Sequence, residues 1–146
     1  LERTAEDYVE CYRRLQAAVP VIPHLTIGLR GGELGHEYPA LRRLRELGAT
    51  ALVFLVFIPT PGTRYAGRRP PAVEEVAALL TQARLIFPTT PLILGCMRPG
   101  GEYRRRLDPL AVRAGVNRLV NPAATAVQTA AALGLKVVRG EECCVF

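Results

Sequence analysis

An α/β fold built on a parallel sheet is predicted by three observations. The strand-like segments are apolar without alternation, helical segments separate them, and the glycine- and proline-rich loops all follow strands. The clearest strand is "ATALVFLVFI" (49–58), whose unbroken apolar run implies burial on both faces.

The elements follow in order. From about Thr4 to Ala18, the spacing of Val9, Tyr12, Leu15 and Val19 predicts a helix. "VIPHLTIGL" (21–29) reads as a strand running into the glycine-rich loop "GLRGGELGHE" (28–37). Glu37 to Leu47 is a second helix, with Leu41, Leu44 and Leu47 on one side and Gly48 as its C′ residue. After 49–58 comes the loop "PTPGTRYAGRRPP" (59–71), then a helix marked by Val73, Val76, Ala77, Leu80 and Ala83. "TTPLILGCM" (89–97) is a buried strand and "RPGGE" (98–102) its loop. A turn of helix carries Tyr103 and Leu107; Asp108-Pro109 then reads as an N-cap and N1 proline opening a further helical piece. "GVNRLVN" (115–121) is a short strand. Asn121-Pro122 repeats the cap-and-proline signal before the helix "AATAVQTAAAL", Gly134 closes it, and "LKVVR" (135–139) is a last short strand.

At 146 residues the chain suits a single domain, 1–146, with a C-terminal tail at 135–146. The N-terminal segment is charged and helical, unlike a signal peptide, and the absence of an initiator Met makes Leu1 read as a cut point. No apolar run spans a membrane. The net charge of +6 is carried almost wholly by arginine, Lys136 being the single lysine. Pairs and runs such as Arg13-Arg14, Arg42-Arg43, Arg68-Arg69 and Arg104-Arg105-Arg106 read as solvated surface. No aromatic interleaving or nucleic-acid motif accompanies them, so neither nucleic acid nor membrane is an expected partner. The four cysteines, Cys11, Cys96, Cys143 and Cys144, form no CxxC and no zinc-finger spacing. So few thiols in so large a core fit a cytoplasmic protein better than a secreted disulfide scaffold.

Four strand–helix units make half of an eight-stranded barrel, a parallel (β/α) half-barrel, although a doubly wound sheet also fits the alternation. The first strand would then be a bare edge. The N-terminal half of the same barrel, or another subunit, is therefore the expected partner.

The four strand–loop motifs resemble the C-terminal half of the barrel of radical S-adenosylmethionine enzymes of the biotin synthase and lipoyl synthase type. "TIGLRGGELGHE" is similar to the glycine-rich fifth-strand motif, and "VFIPTPGTRYAGRRPP" to the sixth strand with its turn at Gly62-Thr63. "LILGCMRPGG" falls at the seventh strand and "AGVNRLVNPAATA" is similar to the eighth. The resemblance covers nearly the whole chain and rests on the order of motifs that are individually weak. It implies an enzyme that binds S-adenosylmethionine and a [4Fe–4S] cluster and abstracts hydrogen with a 5′-deoxyadenosyl radical. Sulfur insertion into a small-molecule or protein-bound acyl substrate is its most specific version. The diagnostic CxxxCxxC is absent from this sequence, so the ligands of that cluster are expected upstream and the isolated chain is expected to be inactive. Nor do the positions of biotin synthase's fifth-strand cysteine and seventh-strand arginine match, since Ile22 and Ile93 stand there, so its sulfur-donor chemistry is not carried over. A non-catalytic half-barrel subunit and a barrel enzyme of unrelated chemistry are the other readings.

The resemblance implies adenosine contacts at Gly28, Gly31, Gly32 and Glu33, where a tight loop is the simpler alternative. Substrate contacts are implied at Pro59, Thr60, Gly62, Thr63, Arg98 and Asn121; Arg98 could grip a carboxylate bidentately or be a surface arginine. His24 reads as a barrel-lining residue. The tail "GEECCVF" has three readings: a prenylation box, a frayed end, or a segment folded over the C-terminal edge of the sheet. In the last, Cys143 and Cys144 join Cys96 and, binding different irons, ligate an auxiliary iron–sulfur cluster, or act as a redox pair.

Overall fold

The computed structural model of the protein describes residues 3–144. Its elements run α1 (Ala5–Ala18), β1 (His24–Ile27), α2 (Glu37–Glu46), β2 (Leu52–Val56), α3 (Val73–Ile86), β3 (Leu92–Leu94), α4 (Gly101–Arg113), β4 (Arg118–Leu119) and α5 (Ala124–Ala132). The four strands pair in parallel and in chain order, β1-β2-β3-β4, as their non-alternating apolar runs imply. Each strand is shorter than its apolar run, because the flanking residues turn into loops.

The two faces of the sheet are covered very differently. Ile27, Leu52, Phe54, Val56, Leu92 and Leu94 pack against Leu41 of α2, Val76, Leu79 and Leu80 of α3, and Leu107 of α4 in one continuous core. Each such side chain removed from water contributes about 1.5–3 kcal/mol, so most of the apolar driving force acts on this face. The other face carries His24, Val53, Ile93 and Arg118 in one row of the register. Its buried cluster is small: Val53, Ile93 and Val120, closed over by Cys144 of the tail.

Helix ends show how local sequence sets boundaries. Thr4 caps α1 in a reciprocal box with Asp7, each satisfying a donor of the other. α2 ends as expected at Gly48, whose φ of +69° lets the Gly48 and Ala49 amides reach Arg45 O and Leu44 O in a Schellman pattern. α1 itself packs lightly: Val9 is buried, but Leu15 and Val19 of its expected apolar stripe are exposed.

Three local expectations are overturned. Asp108-Pro109 does not open a helix; α4 runs unbroken through it. Pro109 has no N–H for the Arg105 carbonyl four residues back, but Thr125 Oγ1 of α5 donates to that carbonyl at 2.9 Å and replaces the missing bond. Asn121 does not cap α5, which begins at Ala124 after Ala123; Asn121 instead sits at φ +47°, a left-handed conformation that asparagine tolerates. "LKVVR" forms no strand: residues 135–140 are exposed and irregular and pair with neither edge of the sheet. Nor are all arginines solvated. Arg84 donates to the carbonyls of Phe87, Thr90 and Gly115, fastening the loop before β3 and the one before β4. Among the described residues, no helix is long and apolar enough to cross a membrane.

Candidate functional site

The loops that follow β1, β2, β3 and β4 lie at the C-terminal ends of the parallel strands, and they hold the candidate residues other than Cys143 and Cys144 of the tail.

In the glycine-rich loop after β1 the decisive residue is Glu37. It is buried at the first turn of α2, and its carboxylate accepts from the Gly28 amide at Oε1 and the Gly35 amide at Oε2, both at 2.8 Å. These are backbone donors of the sort an anionic ligand would use, and the chain's own carboxylate occupies them. The glycines answer to packing. A Cβ on Gly28 would collide with the Pro71 ring, and one on Gly32, at φ +98°, with the Arg69 carbonyl. Gly31 lies against Tyr65 and Arg68. The segment 65–71 therefore covers the loop. Glu33 is exposed, its backbone bridged to Arg30.

The turn after β2 remains open. Thr63 Oγ1 donates to Thr60 O at 2.7 Å and Thr60 Oγ1 to Ile58 O at 3.1 Å, so both hydroxyls hold the turn itself. Gly62 has open space around it, Thr60 and Thr63 are exposed, and Pro59 is half-buried.

After β3 the chain turns through Cys96 and Arg98. Arg98 is 1% exposed. Its Nε and Nη2 pair bidentately with Asp108 of α4 at 2.9 and 2.8 Å, Nη1 donates to Gly95 O and Val120 O, and Nη2 reaches Asn121 O at 3.4 Å. All five guanidinium N–H groups are thus engaged inside the protein. The bidentate geometry expected of Arg98 is present, but the carboxylate it grips is internal. Asp108 also accepts from the Ala123 amide at 2.8 Å, so this one pair ties the ends of β3 and β4 to α4 and α5. Asn121 is exposed and contributes its carbonyl to Arg98 and Arg104.

Above this node the thiols meet. The Sγ atoms of Cys96, Cys143 and Cys144 form a near-equilateral triangle, with Cys143 to Cys96 at 4.0 Å, Cys144 to Cys96 at 4.0 Å and Cys143 to Cys144 at 3.8 Å. The tail reaches them by folding onto the sheet face that α2–α4 leave uncovered. Cys144 is buried against Val53, Ile93 and Val120, whereas Cys143 is exposed and Cys96 half-buried. Gly95 makes the seat: a Cβ there would stand 2.6 Å from Leu55 Cδ2 and 3.2 Å from Cys144 Sγ. Hydrogen bonding with Cys144 first, and Cys96 second, holds the Cys143 thiol below its ordinary pKa, while burial pushes Cys144 up. Arg104 lies beside the triangle. Its Nη2 donates to Cys96 O at 3.2 Å and Arg98 O at 3.0 Å, and its Nε is buried without a protein partner. Three thiols so placed can hold a soft metal or form a disulfide; all are free thiols in the structure.

Cys11 lies apart, exposed on α1. His24 is exposed on the lightly covered sheet face, its Nδ1 3.1 Å from Ile22 O. Clefts lie elsewhere too: one of 370 Å³, lined by Gln16, Val19, Val21 and Thr50, opens at the opposite edge of the sheet and holds no candidate residue.

Glu37, Asp108 and Arg104 are the residues that sequence reasoning passed over as site builders. Asp108 carried one signal, since it follows Leu107 on the apolar side of α4, where an unpaired carboxylate would be costly. The sequence matches no protein-family model, and no curated protein matches it.

Proposed function

We propose that this chain is the C-terminal half of a radical S-adenosylmethionine barrel, completed by an N-terminal half from the same protein or from another subunit. The observation that carries the reading is the parallel sheet in unbroken chain order, with α2, α3 and α4 on one face and the three thiols on the other. In a barrel, the helix-free face lines the interior and the loops after the strands surround the site. β1 is a sheet edge, where a preceding strand would continue the barrel.

The radical-generating [4Fe–4S] cluster does not fit residues of this chain, which has no CxxxCxxC; its ligands would belong to the completing half. When bound there with S-adenosylmethionine, it would supply a 5′-deoxyadenosyl radical for hydrogen abstraction from a small-molecule or protein-bound acyl substrate. This chain's residues shape the wall. Glu37 sets the β1 loop, the Arg98–Asp108 pair fixes the β3 and β4 loops, and the exposed Thr60–Thr63 turn is free to meet a ligand. The thiol triangle is an accessory metal centre. The setting is cytoplasmic, where such thiols stay reduced.

The test joins the chain to its completing half, reconstitutes it anaerobically with iron and sulfide, and adds dithionite and S-adenosylmethionine. The completed barrel is expected to release 5′-deoxyadenosine and the isolated chain none. Absence of 5′-deoxyadenosine from a completed, iron-loaded barrel would end this reading.

A further inference from the structure

We infer that Cys96, Cys143 and Cys144 form a site for a single thiophilic d10 ion, Zn2+ or Cu+, rather than for an iron–sulfur cluster. The inference rests on the sulfur positions and not on the radical reading.

The sulfur separations decide the class. With metal–sulfur bonds of about 2.3 Å, thiolates sharing one ion stand about 3.8 Å apart at tetrahedral angles and about 4.0 Å apart in a trigonal plane. The triangle measures 3.8, 4.0 and 4.0 Å, which spans those two values. Thiolates on different irons of a cluster point outward from separate metals and stand wider apart. Cys143 and Cys144, though adjacent, therefore offer their sulfurs to one centre; the sequence-based expectation that they would serve different irons is replaced.

The surroundings suit such an ion. All three donors are soft sulfur, which selects Zn2+ or Cu+ over Mg2+ or Ca2+. Gly95 lets Cys144 lie flat on the sheet, so one side of the triangle is seated on Val53, Ile93 and Val120. Exposed Cys143 gives access from solvent. Three thiolates around Zn2+ or Cu+ leave a net negative centre. The Arg104 guanidinium, fastened to the Cys96 carbonyl, is an adjacent cation. Three protein ligands leave tetrahedral Zn2+ one position for water or a small ligand.

The experiment uses the full chain, purified under reductant, stripped with chelator and titrated anaerobically. Co2+ should bind at one ion per chain with thiolate-to-metal charge-transfer absorption, and Zn2+ should displace it. A parallel titration with Cu+ against a chromogenic chelator distinguishes the two ions; tight one-to-one binding of either supports the site. Cys96→Ser, Cys143→Ser and Cys144→Ser should each weaken binding at least tenfold, while Cys11→Ser leaves it unchanged. Gly95→Ala, which keeps every thiol but crowds the seat of Cys144, should weaken binding in a chain whose circular dichroism is unaltered. Three results would overturn the inference: no binding by the reduced chain, affinity indifferent to Cys143→Ser and Cys144→Ser, or reconstitution that places several irons with sulfide on these thiols. A bound single ion together with a completed barrel that makes no 5′-deoxyadenosine leaves this site standing and removes only the radical reading.

Discussion

The loops after β1 and β3 are built alike and end up differently. Each is held by a carboxylate from the helix that follows it: Glu37 takes the amides of Gly28 and Gly35, and Asp108 takes the guanidinium of Arg98. In the first loop the carboxylate consumes the amide of Gly28, one of the glycines that made the sequence look like a ligand cradle, together with that of Gly35. In the second it consumes Arg98 but leaves Cys96 free, on the face where the tail arrives. Glycine content therefore marked the loop with less chemistry left over, and the loop with a single thiol became the site. What separates them is which groups the scaffold leaves unspent.

The largest effect that could break this comparison is at Arg98–Asp108. Asp108→Ala leaves a fully buried guanidinium without its counter-charge and should destabilise the chain by about 3–5 kcal/mol in urea unfolding. A loss under about 1 kcal/mol would mean that the β3 loop does not depend on its carboxylate. Glu37→Gln comes next. It turns an amide NH2 toward a backbone N–H and should cost about 1–3 kcal/mol. Equal losses at the two positions would erase the ranking of an ion pair over a carboxylate held by amides.

A smaller effect sharpens the picture of the cover over the β1 loop. Tyr103 donates to Pro71 O at 2.8 Å, and Pro71 is the ring against Gly28. Burial first, then the charges of Glu74 and Glu75, raise the Tyr103 pKa from 10.0 to about 12. The folded state thus keeps a proton that the unfolded state loses, so this contribution is complete below pH 10 and lost as pH rises from about 10 to about 12. Unfolding measured across that window should show stability falling, and Tyr103→Phe should flatten the fall; an unchanged slope would detach Tyr103 from the cover. Smallest of all, replacing Cys143 with serine in the metal-free chain should move stability by less than about 0.5 kcal/mol, since the side chain is exposed. A larger loss would make the thiol part of the scaffold rather than unspent.

Much of the fold was legible because its signals are local or periodic. The apolar runs marked four strands and their parallel pairing, and Gly48 marked the end of α2. Errors arose where a distant partner overrode a local rule. Pro109 reads as a helix start until Thr125 is known to satisfy Arg105 O, and Asn121 as a cap until Asp108 takes the Ala123 amide. The meeting of Cys96 with Cys143 and Cys144 is one of the three readings the tail sequence leaves open, and it comes about without the strand expected at 135–139. The fate of Arg98 was not legible, because nothing near it in sequence names Asp108 as its partner. Glu37 was visible only as an acidic residue in a first turn, whereas its burial depends on the loop curling back over it.

Cys96 and Cys143 are 47 residues apart, and α4, β4, α5 and the exposed stretch 135–140 lie between them. An ion shared by these thiols would act as a reversible crosslink around that loop. In a chain-entropy account, closing about 47 residues removes roughly 4 kcal/mol of freedom from the unfolded ensemble, as a disulfide of the same span would. The last third of the chain would then be clipped or released according to how much free ion the surroundings offer. A tail with little packing of its own would take its persistence from the supply of metal.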